Sequence, residues 1–201
     1  MDHPSTLNIE QFISRWKASG ASERANYQLF LTELCDLLQV EKPMPASHKV
    51  HEAHYTFERP VVFDDGEGKK STNFIDLYKR HCFVLEAKQG SDKATISEAE
   101  LLGAEKVKVK SGTATRDTRT WDREMKKAKE QALRYARSLP TSEGWPPFLV
   151  VVDVGYCIDL YADFARQGKI YVPFPDPQHY RITLEELLDG KIRQRFQLPF
   201  T

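Results

Sequence analysis

Apolar residues recur at helical spacing near the start of the chain. Ile9, Phe12, Ile13 and Trp16 predict a short amphipathic helix from Thr6 to Lys17, ended by Gly20. Tyr27, Phe30, Leu31, Leu34 and Leu38 form a second stripe, on a helix that Ser22 can cap and that runs to about Gln39. Pro43 and Pro45 mark its exit. The period then changes. Tyr55 to Phe63 reads as a strand before an Asp64-Asp65-Gly66 turn, and Asn73 to Gln89 reads as two strands around a turn at Arg80-His81-Cys82. From Gly90 to Thr120 periodicity is weak, a long stretch for a structureless connection. Trp121, Met125, Ala128, Ala132, Tyr135 and Leu139 restore a helical stripe, with Thr120 as cap and Pro140 as stop. The apolar run Phe148 to Asp153 predicts a central strand, and Tyr156 to Tyr161 should pair beside it across Gly155. After Pro173, Pro175 and Pro177, Thr183 and Glu186 form a capping box that opens a last helix. The expected class is α/β (α+β), with helices flanking a central mixed sheet.

Chemistry concentrates in the hairpin. Alternation along Phe83 to Lys88 sends Phe83, Leu85 and Ala87 one way and Val84, Glu86 and Lys88 the other. With a turn at residues 80–82, Asp76 falls opposite Glu86, side chains roughly 4.5–5.5 Å apart at Cβ. Two carboxylates so placed repel, and a divalent cation removes the repulsion. Phosphodiester hydrolysis needs charge neutralisation, a hydroxide and a stabilised leaving alkoxide, which Mg²⁺ bound by oxygen ligands supplies. Asp76 and Glu86 are the expected ligands, joined by the backbone carbonyl of Ala87, and Mn²⁺ could substitute. Lys88 would orient the water or stabilise the developing charge. As a bare pattern, the same residues also fit an exposed hairpin with a surface salt bridge.

Composition narrows the surroundings of this site. The 201 residues suit one domain with an appended terminal segment, and 29 basic against 29 acidic residues give no net charge, so any nucleic-acid surface must be local. Cys35, Cys82 and Cys157 are odd in number and widely spaced, as expected for reduced thiols in a cytoplasmic protein. The start of the chain reads as neither signal peptide nor membrane span, and no later apolar run is long enough to cross a bilayer. Lys106, Lys108, Lys110, Arg116, Arg119 and Arg123 flank the polar stretch after the hairpin and could clamp DNA phosphates, or simply be solvated. His48, His51 and His54 recur by threes but lack a further ligand, which favours surface or turn positions.

The element order and Asp76…Glu86-Ala87-Lys88 resemble the PD-(D/E)XK nuclease superfamily. The similarity is closer to the N-terminal nuclease domain of MmeI-type (Type IIG/IIL) restriction–modification enzymes. It runs through Phe12-Ile-Ser-Arg-Trp-Lys, Ser22-Glu-Arg-Ala-Asn-Tyr, Asn73-Phe-Ile-Asp76, Phe83-Val-Leu-Glu86-Ala-Lys88-Gln89, Gln131-Ala-Leu-Arg-Tyr135 and Phe148-Leu-Val-Val-Val-Asp-Val-Gly155. The resemblance implies a metal-dependent double-stranded DNA endonuclease in which Asp76 and Glu86 bind metal and Lys88 is catalytic. It adds Glu33 of the second helix as an acid near the metal, or else a solvated flank. Gln131 and Tyr135 resemble a supporting motif of RecB-like nucleases, or else a packing edge.

Enzymes of that family continue into a helical spacer, an adenine methyltransferase and a target-recognition domain. Here Trp145-Pro146-Pro147-Phe148 lacks the asparagine of a methyltransferase motif, and no glycine-rich S-adenosylmethionine loop is present. The expectation is a nuclease domain over residues 1–180 and the start of a connector over 181–201. Specificity would come from methyltransferase and target-recognition domains in cis or in a separate subunit, with transient dimerisation on DNA. Alternatives are a stand-alone RecB-like nuclease for repair or for plasmid and phage defence, and a degenerate nuclease fold that only binds DNA.

Overall fold

Strand alternation lays out the molecule as a sheet between two unequal helical layers. A computed structural model describes residues 6–19, 23–45, 53–64, 70–91 and 114–201. Helices α1 (Thr6–Lys17) and α2 (Glu23–Leu38) precede strands β1 (Tyr55–Asp64), β2 (Lys70–Lys79) and β3 (Phe83–Lys88). Helix α3 (Arg119–Arg137) leads to β4 (Phe148–Asp153) and β5 (Cys157–Ala162). Two short strands, β6 (Val172–Pro173) and β7 (Arg181–Thr183), precede the last helix, α4 (Gly190–Gln197). The sheet runs β1-β2-β3-β4-β5-β6, with β7 also on β5. Pairing is antiparallel except between β3 and β4. A parallel pair needs a long crossover, and α3 lies within it.

On one face, Phe83, Leu85 and Ala87 of β3 and Val150 and Val152 of β4 meet the apolar stripes of α1 and α2. On the other, Val84, Leu149 and Val151 meet Trp121, Met125, Ala128 and Ala132 of α3. Both faces of β4 are covered, which explains its unbroken apolar sequence. The turn from β4 to β5 places Gly155 at φ +81°, and a Cβ there would lie 2.4 Å from the Trp16 carbonyl oxygen. Glycine therefore serves both the turn and the close approach of α1.

Two expectations change. Thr118, not Thr120, caps α3, its hydroxyl accepting from the Trp121 N–H at 3.2 Å. The Thr183–Glu186 capping contact forms, with the carboxylate accepting from the Thr183 N–H at 2.7 Å, but Thr183 ends a strand. A 3₁₀ turn (Glu185–Leu188) follows, and α4 starts only at Gly190, capped by Asp189. In residues 181–201, Ile182, Leu184, Leu187, Phe196 and Phe200 are buried in the same cluster as α2 and β3. The three cysteines are free thiols. Among the described residues, no helix is long and apolar enough to cross a membrane.

Candidate active site

The β2–β3 hairpin turns at Arg80-His81-Cys82, as its pattern predicts, with Lys79 opposite Phe83 and Leu77 opposite Leu85. That register carries on to Asp76 opposite Glu86, but the ladder stops at Leu77. Instead the Asp76 carboxylate crosses to β3 and accepts a hydrogen bond from the Ala87 N–H at 2.7 Å. Strand parity points Glu86 and Lys88 toward the α3 layer, where Val84 is packed. Lys88 Nζ donates to Glu86 Oε1 at 2.7 Å. Glu86 is buried, whereas the Lys88 side chain is 31% exposed, so the pair opens to solvent through the lysine.

The strands twist at this point. Leu77 packs toward α1 and α2, yet Ile75, two residues before it, packs toward α3. Residues two apart on a regular strand share a face, so β2 rotates at Asp76. β1 does the same: Tyr55 and Phe57 pack on the first side, Val61 and Phe63 on the second. Between them Glu58 has φ +52°, and the ladder runs from Phe57↔Leu77 to Arg59↔Ile75 without a Glu58↔Asp76 pair. A left-handed glutamate costs about 1–3 kcal/mol, strain typical of functional positions. Tyr27 of α2 donates its hydroxyl to the Glu58 carboxylate. Burial, with added pressure from the Glu58 and Asp76 charges, pushes the Tyr27 phenol well above its ordinary range. Glu58 and Tyr27 therefore belong to the surroundings of Asp76. Sequence pattern missed both: Tyr27 reads as one more apolar-stripe residue of α2, and Tyr55, Phe57, Val61 and Phe63 alternate in β1 without a sign of the rotation at Glu58.

From the other layer, Gln131 Nε2 donates to the Tyr135 hydroxyl at 2.9 Å, and Phe63 stacks on the Tyr135 ring. Burial, then the charge of Glu86 and more weakly that of Asp76, raises the Tyr135 phenol pKa. The α3 pair thus stands within electrostatic reach of both carboxylates. Glu33 is engaged elsewhere: its carboxylate accepts from Trp16 Nε1 at 2.8 Å and pairs with Arg15 at 2.9 Å, tying α2 to α1.

The predicted phosphate clamp divides. Lys106, Lys108 and Lys110 lie outside the described residues. Arg119 and Arg123 are exposed in the first turns of α3. Arg116 is buried and acts as a structural cation, not a surface one. Its guanidinium meets both oxygens of Asp153, at 2.9 and 3.2 Å, and the Val154 carbonyl at 2.9 Å. Of the histidine trio only His54 is described, and its ring meets Glu41 at 3.0 Å.

The two carboxylates offer hard oxygen donors, the chemistry that suits Mg²⁺. Among the described residues, no group of three or more His, Cys, Asp or Glu is placed to hold a metal. Mg²⁺ is ordinarily held by one or two carboxylates together with water and substrate phosphate, so the donor set fits that ion better than zinc.

No curated protein and no solved structure matches the chain. The family described as MmeI, N-terminal domain, matches residues 4–198, and this span includes Asp76, Glu86, Lys88 and the α3 pair beside them. Nearly the whole chain is covered, and it belongs to that family, a domain of restriction–modification enzymes.

Proposed function

We propose that this chain is the endonuclease domain of a restriction–modification enzyme and hydrolyses phosphodiester bonds in double-stranded DNA. The observation that carries the reading is the joint placement of Asp76 and Glu86-Ala87-Lys88. Asp76 is fixed by the Ala87 N–H, and Lys88 sits on Glu86 at an opening to solvent. Asp76, Glu86 and the Ala87 carbonyl would hold Mg²⁺, which when bound supplies charge neutralisation and a more acidic water.

The residues of the chain perform the rest. The Ala87 N–H orients the Asp76 carboxylate, so that it need not reorganise when substrate arrives. Glu86 holds the Lys88 ammonium where a scissile phosphate would gather negative charge. From α3, Gln131 fixes the Tyr135 hydroxyl, whose pKa is raised by burial and then by the Glu86 charge. Family membership supports the wider reading, in which methyltransferase and target-recognition domains, in cis or in a separate subunit, choose the sequence. Cutting both strands then requires two such sites, brought together by transient dimerisation on DNA.

The test is nicking of supercoiled plasmid in Mg²⁺ or Mn²⁺. Wild type should relax the plasmid, whereas Asp76→Ala and Lys88→Ala should not. Equal activity in all three would sink the assignment.

A further inference from the structure

We propose that the flank of α3 bearing Arg123, Lys127 and Arg134 is the surface along which the duplex backbone lies as it enters the site. This rests on the nuclease reading and adds where DNA docks. The chain carries no net charge, but α3 concentrates seven basic residues against three acidic ones. Two carboxylates repel phosphate, so a strand approaching Asp76 and Glu86 needs cations beside them.

Helix geometry selects which cations. Gln131 is bonded to Tyr135, whose ring stacks on Phe63 of β1, so this flank of α3 lies toward the β1–β2 side of the sheet, where Asp76 and Glu86 stand. At 100° per residue, Lys127 and Arg134 fall within roughly 60° of Gln131, one turn to either side, and Arg123 follows one turn before Lys127. All three are exposed. Lys127 pairs with Glu124 at 2.8 Å on the surface, a contact weak enough to exchange for phosphate.

Other basic residues of α3 have different work. Arg137 binds the Gly168 and Lys169 carbonyls at 2.8 Å each, and Lys129 lies 4.3 Å from the centre of the Tyr161 ring on the far flank. Lys126 also lies toward the far flank. Lys127 and Arg134 thus stand beside the site-facing flank, with Arg123 nearer the solvent crown of the helix, a set of long cations suited to sequence-independent contact with phosphates.

Fluorescence anisotropy with a labelled 30-base-pair duplex, in EDTA so that cleavage does not intervene, tests the assignment across a salt series. Lys127→Ala/Arg134→Ala should reduce the slope of log affinity against log salt by about 2, from ~0.9 per phosphate contact. Lys126→Ala/Lys129→Ala, on the far flank, should leave the slope unchanged. An unchanged slope in the first variant, equal loss in both, or no duplex binding by wild type would each overturn the proposal. Plasmid nicking separates this from the catalytic reading. Binding with the expected slope but without cleavage would fail the nuclease reading and spare the surface. Cleavage with an unaltered slope would do the reverse.

Discussion

Asp153 and Glu86 stand near the ends of adjacent parallel strands, both buried and both beside a cation, yet they are built for different purposes. Asp153 is wholly enclosed. Its oxygens accept from the Gly90 N–H at 3.0 Å, Trp121 Nε1 at 2.7 Å and the Arg116 guanidinium, itself buried. It joins the exit of β3, the end of β4 and the start of α3. Glu86 is bonded to a lysine that reaches solvent, across from an aspartate held by a backbone N–H, and its charge helps raise the pKa of Tyr135 of α3. Burial of an acid therefore does not mark function. What separates the two is whether the partner cation closes the cluster off or opens it to a substrate.

Mutations at the two acids should separate them. Asp76→Asn keeps an oxygen for the Ala87 N–H but removes the charge. Nicking should fall about 10³-fold, the scale of losing one preorganised electrostatic group, with little change in the urea midpoint. Asp153→Ala strands a buried guanidinium and should cost about 3–5 kcal/mol in urea unfolding. Unaltered stability there would erase the contrast. Tyr135→Phe removes one hydroxyl at the edge of the site and should slow nicking about tenfold while changing stability by only ~1 kcal/mol. Glu33→Gln should weaken the α1–α2 contact by about 1 kcal/mol and leave cleavage as it is. A tenfold drop would return Glu33 to the catalytic centre.

The smallest effect is pH-linked and lies away from both clusters. Bonds from Lys79 and then His54 hold the Glu41 carboxyl below its ordinary range, and Lys17 does the same for Glu185. Their stabilisation is present above the unfolded glutamate pKa and disappears as pH falls from there through the depressed folded values. Screened surface pairs are worth less than about 1 kcal/mol each. Glu41→Gln should flatten the acid limb of a stability–pH curve only slightly, and a large change would contradict surface pairing.

Much of this arrangement is legible along the chain because it is local. The hairpin turn, the register of β2 on β3 and the parity of Glu86 and Lys88 follow from alternation over a few residues. The α3 stripe and the apolar β4 follow from period and hydrophobicity. Long-range partners are not legible. Arg116 reads as a phosphate ligand until Asp153, 37 residues away, is found bonded to it. Nothing along the chain pairs Glu33 with Trp16 and Arg15, which hold its carboxylate in the fold. β6 and β7 are too short to carry a period, and the box at Thr183 forms on a strand because β5 offers that backbone a ladder.

By itself, the sequence determined which residues form the hairpin and that Asp76, Glu86 and Lys88 share a neighbourhood, since a strand's period of two leaves little freedom. Tertiary structure alone decided that β1 and β2 rotate at Glu58 and Asp76, which brings Tyr27 to one side of the hairpin and Tyr135 to the other. It also decided that one buried acid is sealed and the other open. These outcomes depend on which distant donors reach each carboxylate, and only packing of the helices against the sheet brings those donors within hydrogen-bonding distance.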